Sequence, residues 1–505
     1  MRVLCFGLDG ADYDLVRDLM AEGRLPTLSR LAREGAFGPL RSTIPPLTPV
    51  AWSSFLTGLN PGGHGIFGFS ANPRRAVLRL ESAANRAGVP LWRYLGAAGI
   101  RSAFVTVPFT YPPEPMAGVL VTGWGGPQRP EILPGPARER IFAAHPDLVT
   151  AQSPTNWWED LDAFTGKLIA HVEEIADVCL LAMELEPSLG LLCVDFMSSD
   201  IAGHLTWHRL DPTHPAHDEP GDELVRVYEA VDRACETLIE QAIWLYDEEP
   251  TVVILSDHGM KPTHWLFRTN RWLEEAGYLR YRPAAAKRSA LRSDRDDPPR
   301  AEIDFDATRA YSVGYGGQIY LADGSDDADA ALVAELAEAL ANVGHPETRE
   351  PLFEVKRKDE LYRGPFLARA PELFLLPRDE RVHADSSRQR WADVFQRHER
   401  LVVHGSTSYS GQHALTGILA AAGPGIRPAD VPEGTEIASL PATLLALLGL
   451  SGELEAAATE AILATDAAPE RRAVTAETRV PAEATVYSRS QEQEIVRRLR
   501  ELGYE

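Results

Sequence analysis

Five short segments carry residue types that hold metal ions or attack electrophiles. Asp9 follows the apolar run Val3–Leu8, and Asp257-His258 follows the apolar run Thr251–Leu255. A carboxylate placed directly after a buried strand stands at that strand's carboxyl end, where open α/β sheets form their ligand crevice. Asp200-Ile-Ala-Gly-His204 sets a carboxylate and an imidazole at a spacing that can fold both onto one ion, and mixed oxygen and nitrogen ligation suits zinc or manganese. His413, in Gly411-Gln-His413, precedes a further apolar run. Each segment alone has a plainer structural reading, as a capping Asp or an ordinary surface or core histidine. Thr48 is the possible nucleophile. Pro45-Pro-Leu-Thr48-Pro49 predicts a helix start with Thr48 at the N-cap and Pro49 in the first turn. As a cap Thr48 needs no chemistry. The same geometry, however, offers unpaired N–H groups and a positive dipole end to a phosphate beside the hydroxyl. A threonine hydroxyl is a poor nucleophile near neutral pH, and a metal held by Asp9, Asp257 and His258 would lower its pKa.

Taken together, these segments resemble the alkaline phosphatase superfamily, in particular the branch of the nucleotide pyrophosphatases/phosphodiesterases and the predicted phosphohydrolase/phosphomutase proteins. The matching stretches are Gly7-Leu-Asp9-Gly10, Thr48 through Leu56-Thr57-Gly58 and His64-Gly65, Asp200-x-x-x-His204, Ser256-Asp257-His258-Gly259 and Gly411-x-His413, in the family's order. The resemblance implies an α/β fold: a doubly wound mixed sheet with helices on both faces and an inserted cap subdomain. It also implies two divalent ions, zinc first and manganese second. Asp9, Thr48, Asp257 and His258 would hold one ion, and Asp200, His204 and His413 the other. The implied activity is hydrolysis of a small phosphorylated substrate, as a phosphodiesterase or phosphatase, through a phosphothreonine on Thr48. Two ions roughly 4 Å apart can clamp an in-line displacement, which agrees with that implication.

The chain departs from the pyrophosphatase pattern in two places. An Asn expected about twenty residues past the nucleophile is replaced by Phe67-Gly-Phe69-Ser70, and Pro49 lacks the N–H of its position. Oxyanion contacts are therefore expected from the Thr48 N–H, the Val50 N–H or a cap side chain. Substrate contacts are expected from His208, His214 and His217, from Lys261, and from Tyr315 in the glycine-rich stretch Tyr311–Gln318. Asp195 also ends a strand, but the spacing to His204 favours Asp200 as the ligand; His404 is expected to be structural. A phosphotransferase or phosphomutase would keep the same core, yet Thr48 is not the serine of a cofactor-independent mutase and no transferase domain follows it. Thr48-Pro-Val-Ala-Trp52 lacks a sulfatase signature. A catalytically silent metal-binding scaffold would be marked by a missing ligand, and the set is complete.

The elements that must position these residues are legible as alternating apolar runs and helical patterns over 505 residues, 44% of them apolar. We expect a catalytic core over 1–262 and 401–450, a cap over 263–400, and a C-terminal piece over 451–505 with a terminal helix from Gln491. A formal net charge of -23 disfavours a nucleic acid polymer as partner. No apolar run reaches the roughly 18 residues of a membrane span. The four cysteines show no CxxC spacing, and with no export signal read at the start a cytoplasmic location is expected.

Overall fold

Val3–Leu8 and Thr251–Leu255 lie side by side, parallel, near the centre of a nine-stranded sheet in a computed structural model of the chain. The structure describes all residues except 72–78, 155–156, 283–301, 315–316, 323–328, 387–392, 404–405, 408, 465–470, 479–480, 482–485 and 502–505. Across the sheet the order is Ala429–Asp430, Ala36–Arg41, Thr416–Ala422, Thr251–Leu255, Val3–Leu8, Leu189–Phe196, Arg101–Val105, Gly118–Val121 and Ile132–Leu133. All run parallel except Thr416–Ala422 and Ile132–Leu133.

Both faces are covered, which is why the central strands read as unbroken apolar runs. Leu4, Phe6, Leu192, Val194 and Ile254 point to the face packed by the long helices Leu161–Leu185 and Glu223–Tyr246. Their alternates Val3, Cys5, Leu191, Cys193, Val253 and Leu255 face the helices Thr48–Thr57 and Leu440–Leu447. Trp52 and Phe55, wholly buried, anchor the first of these, and a side chain of Phe55's size contributes roughly 1.5–3 kcal/mol by leaving water.

The apolar run after His413 forms the strand Thr416–Ala422, and a separate short strand precedes it. Gly411–Ala414 pairs antiparallel with Gly259–Pro262, so that His413 stands opposite Met260, and Thr416–Ala422 enters the main sheet. Between 263 and 400, where the sequence shows few strong strands, the chain builds two small sheets. Ala310–Ser312, Gln318–Leu321, Leu373–Pro377 and Phe353–Arg357 form an antiparallel sheet whose core includes Leu332, Leu336 and Leu340 of the helix Ala330–Ala341. Val382–Asp385, Trp265–Arg268 and Phe395–Arg397 form the other. These strands are short, and their apolar residues are interrupted by charge. Ile44, Phe67, Tyr362 and Phe374 pack this layer onto the loops beside Thr48. The helix Arg489–Glu501 docks on the core through Arg498, which donates to the Gly126 carbonyl at 3.1 Å and lies 4.2 Å from the Trp124 ring centroid.

Candidate active site

The parallel strands carry Asp9 and Asp257 out at one end of the sheet, and the helix Thr48–Thr57 begins there. Asp9 is fully buried; its Oδ2 accepts from the Trp52 indole N–H at 3.2 Å, and its backbone carbonyl from the Ser199 hydroxyl at 2.7 Å. Asp257 Oδ1 accepts from the Gly10 N–H at 3.3 Å. Gly10 has φ +69°, and a Cβ there would meet Asp200 Oδ1 at 3.0 Å, so both conformation and space call for glycine. His258 Nε2 lies 3.6 Å from Asp9 Oδ1, 3.4 Å from Asp257 Oδ2 and 3.4 Å from Thr48 Oγ1.

The other half of the cluster comes from the helix Ser198–Leu210 and the ribbon strand Gly411–Ala414. Asp200 Oδ1 is 3.4 Å from His204 Nε2 and 3.3 Å from His413 Nε2, and the two imidazole nitrogens are 2.9 Å apart. The His258 and His413 rings stack at 3.6 Å between centroids. Ligand atoms of Asp9, Asp257 and His258 all lie within 4.8 Å of one another, and so do those of Asp200, His258 and His413. His258 thus belongs to both trios, and His204 touches the second.

Each of the three imidazoles donates its Nδ1–H to a backbone carbonyl: His258 to Gly259 at 3.0 Å, His204 to Gly411 at 2.8 Å, and His413 to Pro46 at 2.8 Å. A carbonyl only accepts, so Nδ1 carries the proton and the Nε2 lone pairs converge on the cluster. Burial, reinforced by His258, pushes His413 down to about 3, and burial also lowers His204, so both rings are neutral. Burial pushes Asp9 and Asp257 well above the usual carboxylate range, with Asp200 adding to both. Asp9 Oδ1, Asp200 Oδ1 and Asp257 Oδ2 are buried without a hydrogen-bond partner among the described residues.

This donor set fits cations. Ligand atoms about 2.0–2.2 Å from a tetrahedral zinc ion stand roughly 3.3–3.6 Å from one another. The contacts between 2.9 and 3.6 Å in this cluster bracket that spacing. Convergent lone pairs and unpaired carboxylate oxygens in a dry site are costly without a positive partner.

Several expectations change. Thr48 is the first helical residue, not the N-cap; Leu47 occupies the cap, and its carbonyl accepts from Val50 N–H at 2.9 Å, so that N–H is already engaged. Thr48 Oγ1 is thereby free of capping. Lys261, expected to reach a phosphate, is paired with Asp12 at 3.1 Å and Asp14 at 2.8 Å. His214 has both ring nitrogens in use, on the Ser410 carbonyl at 3.2 Å and the Ala216 N–H at 3.0 Å, so it braces the ribbon instead of lining a substrate pocket. His208 is buried with its ring centroid 6.1 Å from that of His214, and His217 donates to the His208 carbonyl at 2.7 Å. Tyr315 and His404 lie outside the described residues. A cleft beside Thr48 is lined by Leu47, Phe69, Ser70, Gly314, Gln318 and Tyr320. Trp52 and Ser199 went unnoticed in the sequence. Trp52 stands four residues after Thr48, one helical turn on, and that spacing is a signal that could have identified it.

A profile of the type I phosphodiesterase/nucleotide pyrophosphatase family matches residues 3–407. Among solved structures, human ectonucleotide pyrophosphatase/phosphodiesterase 5 superposes with a TM-score of 0.54 at 16% identity, covering 92% of this chain and 100% of that one. The murine protein, as an inactive Thr-to-Ala variant in complex with AMP, gives 0.54 at 15% identity, with 92% and 100% covered. At such identity the likeness is one of fold. No curated protein matches the sequence. With a family match over most of its length and an alkaline phosphatase-like fold, the chain belongs to the type I phosphodiesterase/nucleotide pyrophosphatase family of the alkaline phosphatase superfamily and is a phosphoric ester hydrolase.

Proposed function

We propose that the protein hydrolyses a small phosphorylated substrate, as a phosphodiesterase or phosphatase, through a covalent phosphothreonine on Thr48. The observation that carries this reading is the position of Thr48 Oγ1, 3.4 Å from His258 Nε2, the residue both ligand trios share. Asp9, Thr48, Asp257 and His258 would hold one divalent ion, and Asp200, His204 and His413 the other, most simply zinc, with manganese as the alternative. When bound, the ions supply the positive charge that favours an ionised Thr48 hydroxyl and a departing alkoxide.

The chain's own residues do the rest. Three carbonyl acceptors keep the imidazoles in one tautomer, and Trp52 keeps Asp9 in one orientation. Thr48 Oγ1 attacks phosphorus as the ester P–O bond breaks. Water then cleaves the Thr48–phosphorus ester and restores the hydroxyl. Pro49 has no N–H and Val50's is occupied, which leaves the Thr48 N–H as the expected backbone donor to a phosphoryl oxygen. The inactive threonine variant of the murine relative and the AMP it binds support both the nucleophile and the substrate class.

Residues 1–262 and 401–450 serve as the catalytic core, 263–400 as the cap that selects the substituent, and 451–505 as a C-terminal brace. His208 stays at the margin of this assignment. Four unpaired, buried cysteines suit a reducing cytoplasm, and a net charge of -23 suits a small substrate better than a nucleic acid polymer. The test is turnover of aryl phosphate monoesters and diesters by wild type and Thr48→Ala, with metal content measured on both. The variant should lose turnover and keep its metal; activity that survives the change removes the nucleophile from this reading.

A further inference from the structure

A fourth carboxylate stands behind the ligand cluster and takes no part in it. Asp195 is the penultimate residue of the strand Leu189–Phe196, in register with Gly7, on the sheet face covered by the helix Thr48–Thr57. It is 1% exposed, and neither Oδ1 nor Oδ2 has a hydrogen-bond partner among the described residues. Its space is provided by Gly7, where a Cβ would lie 2.7 Å from Asp195 Oδ1 and 2.7 Å from the edge of the Trp52 ring. Trp52 in turn donates to Asp9. Carboxylate and indole therefore rest together on a glycine floor directly behind a ligand.

As packing alone, this is a poor choice of residue. An apolar side chain of similar size would fill the space without the desolvation that an unpaired carboxylate suffers. Electrostatic accounting gives it a purpose. Asp9, Asp257 and Asp200 bring three negative charges, and the imidazoles, each with its proton on Nδ1, bring none. While the Thr48 hydroxyl keeps its proton, two divalent cations leave this buried cluster with one positive charge in excess, and an ionised Asp195 cancels it. In the metal-free chain burial, then Asp9, Asp257 and Asp200, push Asp195 well above the usual carboxylate range. Cations at the same positions act on it with the opposite sign.

We propose that Asp195 is the charge-balancing carboxylate of the metal pair, a positioning residue that ligates neither ion yet raises the protein's affinity for them. This rests on the two-ion reading above. The test titrates the metal-free full-length chain with zinc in competition with a chromophoric chelator, for wild type and Asp195→Asn, alongside thermal melts of both metal-free proteins. The near-isosteric neutral variant should lose about tenfold or more in zinc affinity, and its metal-free form should melt at the same temperature as wild type or higher, because a buried unpaired acid has gone. Zinc affinities within twofold of wild type would overturn the proposal. If Asp195→Asn does not fold, Asp195→Ser repeats the measurement, and failure of both to fold would make the residue a structural one, which overturns the proposal equally. Wild type binding fewer than two zinc ions would instead fell the two-ion reading, and this proposal with it.

Discussion

Asp9 and Asp257 extend from neighbouring parallel strands, whereas Asp200, His204 and His413 come from one helix turn and a two-stranded ribbon. The strand-borne half inherits its geometry from the register of the sheet, Gly7 opposite Leu255, with an indole N–H and a backbone N–H holding the carboxylates. The ribbon-borne half depends on one short pairing, Gly259–Pro262 with Gly411–Ala414, and on the Pro46 carbonyl that holds His413. The contrast teaches that two ions in one cluster need not be equally secure. The ribbon-held ion is expected to leave first, and His258, shared by both trios, transmits the loss of either.

The largest expected effect treats both halves alike. Thr48→Ala should lower turnover at least about a thousandfold while both ions stay bound, as elemental analysis of the dialysed protein would read. His413→Ala should separate the halves: one ion lost, the other retained, and turnover down about a hundredfold. Retention of two ions by that variant would break the contrast. Trp52→Phe keeps most of the ring but removes the donor to Asp9, and should weaken the strand-held ion about tenfold with the ribbon-held one unchanged in a zinc titration.

The smallest effect concerns pH. Burial first, then the neighbouring His398 and His264, pushes His214 down to about 3, and burial pushes His208 and His398 down to about 4. In the unfolded chain these rings take up protons below about 6.5. Between that value and their folded values the unfolded state binds more protons, so the contribution of these rings to stability falls as pH falls. The raised Asp9, Asp257 and Asp195 act in the opposite sense over the same range, so the prediction concerns the histidine share alone. Lowering the pH from 7 to 4.5 should cost metal-free His214→Gln less melting temperature than it costs metal-free wild type.

The strand ends were legible because Val3–Leu8 and Thr251–Leu255 are buried on both faces and cannot be mistaken for polar loops. Thr48 was misplaced by one residue because the cap at Leu47 is a backbone device with no side-chain signature. The fate of Lys261 was hidden because Asp12 and Asp14 are distant in sequence and meet it only through the fold. Charges between 263 and 400 masked short strands, several of which pair with segments far away in the chain, Trp265–Arg268 with Val382–Asp385 and Gln318–Leu321 with Leu373–Pro377. Asp195 read as a strand end like any other; its isolation becomes visible only once Gly7 and Trp52 are seen beside it.

Thr416–Ala422 comes late in the chain yet sits between Ala36–Arg41 and Thr251–Leu255. Until it emerges from the ribosome, the nascent amino-terminal portion carries two unsatisfied strand borders, one on each side of the gap. Biogenesis is thus tied to nearly complete synthesis, and fragments ending before residue 416 are expected to associate with one another or recruit chaperones.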